Sequence, residues 1–600
     1  MPKIKVLPDE KEFDFEPGKT LLELLIHKGV FVDNPCSGKG ICGKCKLCIS
    51  KGNVQEPGPE ERIFLKTDQL QAGIRLACMV YPQNDLEVTL LKNEKGSNVL
   101  TTGYLPKFTY QLGIKKEAFE IRQPTLAWQI PLEDQIQEAL SISSVDVDLL
   151  RQRHLKPGIY TGIIKDAQLL NIEEGDTSDR LFGVAVDIGT TTVVTALIDM
   201  LTGRELANAS MVNAQKHYGL DVLTRITYEL ENPQNGVKNL QTAIVDSLND
   251  MISDICKQAD VRKEEIYEIT VGANCTMMHM LLGIDALSIG KSPYTPTFVK
   301  GRSVSANQIG LKIAYGGKLF CLPAVSAYIG ADIVAGAYVC ELQKTNKNIL
   351  FIDIGTNGEI VLAYDGKLLC CSCAAGPALE GMNISAGMRA AEGAIEDIEI
   401  TESGIKLEVI GNQTAEGICG SGILAAIREL LKTGLVRADG SFIKLDKLTD
   451  DDYRYPMLRL NGKKREFVLV DEPNELLITQ GDVRQVQLAK GAILSGFYAL
   501  LQKAEITMEK LDKVMIAGQF GAHLPANSLT GTGILPKEVE NKLVYVGNSS
   551  KTGAYMALMS EQVKRDMEEL AHHMEYMELS ATKGYDRLFA NCLIYPASKG

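Results

Sequence analysis

The chain has 600 residues, 45% of them hydrophobic and 23% charged. That is ordinary globular usage in a chain too long for one hydrophobic core, so about two to four domains are expected. A formal net charge of −13 works against a nucleic-acid groove, because neutralising phosphates needs a basic surface. No run of eighteen apolar residues occurs, and the opening MPKIKVLPDEKEFDFEPGKT has no apolar signal core, so no membrane partner and a cytoplasmic location are expected. Fourteen cysteines in a reducing compartment bind metal or pack in the interior more often than they pair as disulfides.

Residues 1–92 read as a small α+β domain. Short strands are expected at Lys3–Leu7 and Glu12–Phe15, and a helix over Leu21–Lys28. Thr20 with Glu23 three residues on forms a capping box that starts this helix. A cysteine-bearing loop follows, and strands near Lys44–Ser50 and Leu86–Leu91 complete the sheet. Residues 93–112 read as a linker, with Gly, Ser and Thr concentrated between Glu94 and Gly103. Residues 113–180 form a small α/β middle domain with helical stretches at Glu133–Leu140 and Val145–His154, where Trp128 reads as a packing residue.

Residues 181–600 contain an internal repeat. Leu181–Asp199 reads LFGVAVDIGTTTVVTALID and Ile349–Tyr364 reads ILFIDIGTNGEIVLAY, aligned on Asp187 and Asp353, 166 positions apart. Each is an apolar strand, an Asp-Ile-Gly-Thr turn and a second β-branched strand, followed by a further turn and a third strand. A duplication of this kind predicts two related lobes, beginning near 181 and 349, that face each other across a cleft.

Cys36, Cys42 and Cys45 are separated by five and two residues, and Cys78 lies thirty-two residues further on. Three thiolates on one Gly-rich loop plus a distant fourth can surround an iron–sulfur cluster, the glycines turning backbone amides toward the sulfurs. Plant-type spacing has four residues in the first gap. The five found here resemble the ferredoxins of the adrenodoxin and putidaredoxin kind, which keeps a four-ligand [2Fe–2S] reading. A structural zinc site is the alternative, and the presence of a single C-x₂-C pair weighs against it. Cys48 reads as a core thiol. Cys370, Cys371 and Cys373 read as small buried residues on a strand, with a second metal or redox pair as the alternative.

An Asp-Ile-Gly-Thr turn at the mouth of a hairpin offers a carboxylate, hydroxyls and backbone amides, which together can hold Mg²⁺ through water and cradle a phosphate. Two such turns on opposed lobes can clamp a triphosphate. Asp187 and Asp353 are the expected Mg²⁺ organisers, and Gly189, Thr190, Thr191, Thr192, Gly355, Thr356 and Asn357 the phosphate holders. This arrangement resembles the acetate and sugar kinase/Hsc70/actin superfamily. The likeness implies an adenosine segment at KVMIAGQFGAHLP, where Gly518, Gln519 and Gly521 allow close approach of the nucleoside. Gly547, in LVYVGNSSKTG, is read as a wall of that pocket, the segment lacking the Gly-Lys pair of a P-loop. Gly420 and Ser421 open a helix and can offer amides to an anion, a plain tight turn being the alternative. Glu380 is a candidate metal- or water-orienting carboxylate, a surface or structural role being the alternative.

The whole-chain combination is narrower. A ferredoxin-type domain of the β-grasp (α+β) class, a linker, a middle domain and a duplicated actin-like ATPase resemble the reductive activators of corrinoid proteins. Segments carrying the likeness include VGANCTMMHMLLG, AAGPALEGMNISAGMRAAEGAIE and ITQGDVRQVQLAKGAI. The resemblance implies a homodimer with a [2Fe–2S] cluster and Mg-ATP as cofactors. It also implies a low-potential electron donor and a corrinoid-binding partner whose Co(II) is returned to Co(I). Rival expectations are a ferredoxin-fused small-molecule kinase and a nucleotide-gated redox sensor. An activator of 2-hydroxyacyl-CoA dehydratases is disfavoured by the ferredoxin spacing.

Overall fold

In the computed structural model the described residues are 2–7, 11–28, 30, 32, 38, 40, 43, 45–59, 61–65, 67–90, 103–152, 155–462, 464–472, 474–518 and 524–597. Cys36, Cys42, Gln519, Gly521, the first half of the expected linker (93–102) and the end of the expected Val145–His154 helix lie outside them. The chain folds as two units, residues 1–96 with 213–243 and residues 97–212 with 244–600.

Within the first unit, β1 (Lys3–Leu7), β2 (Lys11–Asp14), β3 (Lys46–Lys51), β4 (Ile74–Leu76) and β5 (Leu86–Leu90) form one sheet in the order β2-β1-β5-β3-β4. β1 and β5 run parallel and the other pairs antiparallel. Alternate residues of β1, Ile4 and Val6, are fully buried, the period-two signature of a half-covered strand. Their cover is the helix Leu21–His27, which contributes Leu21, Leu22 and Leu25 to the same core as Leu47 and Val88. The expected capping box is present: Glu23 donates its backbone N–H to the Thr20 hydroxyl at 3.2 Å, and its carboxylate accepts from the Thr20 N–H at 2.7 Å. On the other side of the sheet, buried Glu61 accepts two bonds from Arg75, at 2.8 and 2.9 Å, and one from the N–H of Leu76. This forked pair fixes the strand leading into Cys78.

In the second unit, β6 (Ile114–Ile121), β7 (Gly158–Lys165) and β8 (Gln168–Glu174) make a three-stranded antiparallel sheet. The helix Leu132–Leu140 packs on it, and Ile136, Leu140, Phe119 and Ile172 share a small core.

The repeat then folds twice. β9 (Phe182–Ile188), β10 (Thr192–Asp199), β11 (Arg204–Val212), β12 (Ile266–Ala273), β13 (Arg302–Ser305) and β14 (Lys318–Cys321) are ordered β11-β10-β9-β12-β14-β13. The second lobe holds β15 (Ile349–Ile354), β16 (Gly358–Tyr364) and β17 (Lys367–Cys373). Two small inserted sheets follow, β18 (Ala394–Thr401), β19 (Gly404–Val409), β20 (Gly417–Ile418) and β21 (Leu458–Asn461), β22 (Lys464–Val470), β23 (Leu476–Thr479). β24 (Lys513–Ala517), β25 (Leu543–Gly547) and β26 (Met574–Tyr576) return to the main sheet, ordered β25-β24-β15-β16-β17-β26. Read from β11 and from β17, the two sheets share one plan. Three antiparallel strands are followed by two that run parallel to the first. The helices that come after β14 and β25, Ala331–Val339 and Ser549–Met559, meet at small residues. A Cβ on Gly553 would stand 2.9 Å from the Ala335 Cα.

Every residue of β12 is buried, as expected of a parallel strand flanked on both sides. Its Glu268 is therefore a charge inside the protein, and it is matched. Lys165 of β7 reaches it at 3.0 Å, and Lys564 of the helix Glu561–His573 contacts its other oxygen. Both lysines also meet Glu561, at 3.2 and 2.6 Å. Burial alone would lower the Lys165 pKa, but Glu268 and Glu561 outweigh it and hold the pKa above the usual lysine value. The group ties the small three-stranded sheet, the first lobe and a C-terminal helix together. Removing one member of such a group strands the others. Glu268→Ala is predicted to cost about 3 kcal/mol, read as a lower denaturant midpoint of the full chain. Replacing the three most buried members together, with Lys165→Met, Glu268→Leu and Lys564→Met, should recover much of the loss, because the one charge left behind, Glu561, is a quarter exposed to water.

Candidate functional site

The cysteine loop comes first in the chain. Cys45 precedes β3 and Cys78 follows β4, and the antiparallel pairing of those strands brings the two thiols together, Sγ to Sγ at 3.3 Å, both buried. The adjacent Cys78 sulfur, and then burial, hold the Cys45 thiol far above its ordinary range. Two sulfurs this close become thiolates together only against a cation such as iron. Gly38, Gly40 and Gly43 all adopt positive φ. A Cβ on Gly43 would stand 2.7 Å from the Phe64 ring and one on Gly40 2.7 Å from the Met79 methyl, so the loop needs glycine there. Cys48 points elsewhere, its Sγ 3.4 Å from the Ala72 carbonyl. This donor set fits an iron–sulfur cluster, with Cys36 and Cys42 outside the described residues. Cys371 and Cys373 are buried among the second-lobe core residues, and Cys370 on the same strand is buried as well.

The two Asp-Ile-Gly-Thr turns meet in one cleft lined from both lobes. In the first, Gly189 donates its N–H to the Thr192 carbonyl at 2.9 Å; in the second, Gly355 donates to Asn357 at 3.0 Å. The second turn is one residue shorter in its pairing. Val194 therefore stands opposite Asp187 across the first hairpin, whereas Glu359 stands opposite Asp353 across the second. The difference places an additional carboxylate in the cleft.

Five carboxylates line it: Asp187, Asp332, Asp353, Glu359 and Glu380. No lysine or arginine is among the described lining residues. Burial, then repulsion by Asp332 and Asp187, pushes Asp353 up to about 8. Burial, then Asp187, pushes Asp332 up to about 7. Glu359 is driven well above the carboxylate range by burial, then by Asp332 and Asp353. Burial also raises Asp187 and Glu380, but each has hydrogen-bond donors that offset part of the rise. Asp187 accepts from the Asn548 amide at 2.9 Å; Glu380 accepts from the hydroxyls of Thr191 at 2.8 Å and Thr356 at 2.6 Å. Among the described residues no three His, Cys, Asp or Glu side chains are arranged to hold a metal ion by themselves. The carboxylates, hydroxyls and inward amides suit a hard cation that brings its own phosphate and water ligands.

Of the residues singled out in the sequence, Asp187, Gly189, Thr190, Thr191, Thr192, Asp353, Gly355, Thr356, Asn357, Glu380 and Gly518 line this cleft. Gly518 has φ +92°, and a Cβ there would stand 2.6 Å from an Asp353 carboxylate oxygen. Gly547, with φ +71°, ends β25 and pairs with Gly103; it lies beside the lining residue Asn548. Gly420 and Ser421 begin the helix Gly420–Lys432 and are not lining residues. A Cβ on Gly420 would stand 2.0 Å from the Leu379 carbonyl, so its bareness lets that helix seat against the turn carrying Glu380. Seven lining residues were not singled out one by one: Asn274, Asp332, Ile354, Glu359, Asn548, Ser549 and Ser550, the last three lying within the segment 543–553 read as a pocket wall. Asn274 and Asn548 cap the helices Cys275–Leu282 and Ser549–Met559 with their side-chain oxygens. Their amide nitrogens turn to the site, Asn274 donating to Thr190 at 3.1 Å and Asn548 to Asp187. An Asn between an apolar strand and a helical run was the available signal. For Glu359 the signal was a lone carboxylate on an apolar strand, and for Asp332 there was none beyond an acid in a helix's first turn.

Comparison with known proteins agrees with this geometry. Residues 4–83 match the 2Fe-2S iron-sulfur cluster binding domain family, residues 182–345 the RACo middle region, and residues 347–600 the C-terminal ASKHA domain of RACo. The chain is 29% identical to the corrinoid activation enzyme RamQ of Eubacterium limosum, over 92% of each chain. It is 23% identical to the [Co(II) methylated amine-specific corrinoid protein] reductase of Methanosarcina barkeri, over 69% of this chain and 77% of that one. A solved structure of a reductive activator for corrinoid, iron-sulfur protein is 31% identical, covers 100% of this chain and 99% of its own, and superposes with a TM-score of 0.71. The chain belongs to the family of reductive activators of corrinoid proteins.

Proposed function

We propose that this protein is an ATP-dependent reductase that delivers one electron to the Co(II) corrinoid of a partner protein and so regenerates Co(I). The observation that carries the reading is that one chain holds both a paired-thiol ferredoxin loop and a two-loop carboxylate cleft. A [2Fe–2S] group held by Cys36, Cys42, Cys45 and Cys78 would supply one-electron carriage. The family resemblance implies a cobalt couple lower than the cluster's, and each ~59 mV of deficit lowers a one-electron equilibrium tenfold. Binding and hydrolysis of Mg-ATP offset that deficit by favouring one arrangement of the two lobes.

Asp187 and Asp353 organise Mg²⁺ through water, Gly189–Thr192 and Gly355–Asn357 hold phosphates, and Gly518, with Gln519, Gly521 and Gly547, borders the nucleoside. Gly420 acts indirectly by letting its helix seat behind Glu380. The proposed division is a cluster domain over 1–92, a linker over 93–112, a middle domain over 113–180 and the ATPase over 181–600. Free buried thiols fit a cytoplasmic setting, and among the described residues no helix is long and apolar enough to cross a membrane. A homodimer and a low-potential donor complete the proposal.

Three measurements test it. The purified protein should hold two irons and two sulfides per chain, lost in Cys45→Ala and Cys78→Ala and equally in Cys36→Ala and Cys42→Ala, but kept in Cys48→Ala; bleaching by Cys48→Ala alone would refute the ligand set. Asp353→Ala and Asp187→Ala should each lower Mg-ATP hydrolysis by roughly a hundredfold, the order of losing one positioned group, with the visible iron–sulfur spectrum unchanged. In an anaerobic assay with a low-potential reductant, Co(II) on a corrinoid protein of the same cell should become Co(I) only with Mg-ATP present. Equal reduction without ATP would instead favour a fused kinase or a sensor.

A further inference from the structure

The two phosphate loops come from segments 166 positions apart, yet their threonines converge on one side chain. Thr191 Oγ1 donates to one oxygen of Glu380 at 2.8 Å, and Thr356 Oγ1 donates to the other at 2.6 Å. All three residues are buried. Glu380 itself is held firmly. It ends the turn Pro377–Glu380 between Gly376 and Gly381, both at φ +74°; Met382 donates its N–H to the Pro377 carbonyl at 3.1 Å, and Gly420 seats against Leu379.

A hydroxyl has one proton to give. While Thr191 and Thr356 spend theirs on Glu380, neither can donate to a phosphate oxygen. An anion that takes both hydroxyl protons therefore has to break this bridge. We propose that Glu380 is a positioning residue that latches the two phosphate loops to each other through the two threonine hydroxyls. The terminal phosphates of ATP displace it by taking over the two threonine hydroxyls. The assignment rests on the ATP site proposed above and deepens it: one carboxylate reports whether both loops carry phosphate, and the turn that bears it is the first element to feel the answer.

Two variants separate the bridge from the charge. Glu380→Asp keeps the charge but is one methylene too short to reach both hydroxyls; Glu380→Gln loses the charge but can still accept from one hydroxyl and donate to the other. Calorimetric dissociation constants for Mg-ATP and for AMP, which lacks the terminal phosphates, are measured on the full cluster-loaded chain. Glu380→Asp should bind Mg-ATP about five- to tenfold more tightly, the scale of one or two net hydrogen bonds, and AMP unchanged, with Glu380→Gln moving ATP affinity less. Equal shifts for ATP and AMP would reveal a merely structural role, and a loss of hydrolysis at unchanged ATP affinity a water-orienting one; a larger effect of Glu380→Gln than of Glu380→Asp would assign the effect to charge. Each overturns the latch. Absence of Mg-ATP binding by the unaltered chain would remove the nucleotide site and the latch together, whereas ATP binding that Glu380→Asp leaves untouched removes the latch alone.

Discussion

Five carboxylates, Glu380 buried and the other four half-buried, without a lysine or arginine among the described residues that line their cleft are the constraint on which this architecture turns. Like charges brought out of water raise one another's pKa and strain the structure that holds them. The duplication makes the crowding, since Asp187 and Asp332 come from the first lobe and Asp353, Glu359 and Glu380 from the second. The compensations are two helix-capping amides and two threonine hydroxyls, with the charges of Lys551 and Arg389 acting on Asp187 and Glu380. The cation and phosphate chain proposed for the cleft would relieve what these groups only soften.

The cysteine loop poses the same problem with opposite chemistry. At Cys45 and Cys78 two soft donors are held 3.3 Å apart, and the forked Glu61–Arg75 pair fixes the strand leading to one of them. That domain has its own core, built on β1, β5 and the capped helix. The division suits a machine in which one part carries charge and the other governs when it is released.

Much of this was legible in the sequence because it follows from short-range rules. The Thr20 capping box and the Asp187 and Asp353 turns are local patterns, and each folds as its residues dictate. The cysteine spacing anticipated a shared site, of which Cys45 and Cys78 are in view. What escaped notice depends on register and on distant partners. Glu359 faces Asp353 because the second hairpin closes one residue earlier than the first, a difference invisible in an alignment on the aspartates alone. Asp332 enters the cleft from a helix that no motif marks. Gly420 carried the composition of an anion nest, yet its bareness serves the approach of a helix to Leu379.

Asn548 carries a further consequence. As a helix cap it could be replaced by Asp with little loss, since either oxygen would accept the Lys551 N–H. Its second duty forbids that exchange, because the amide nitrogen donates to Asp187 and a carboxylate there would turn a donor into a sixth acid in the cleft. Hydrolysis of this single side-chain amide to Asp, an ageing reaction open to an Asn followed by a small residue such as Ser549, would keep an acceptor for the Lys551 N–H while removing the donor to Asp187.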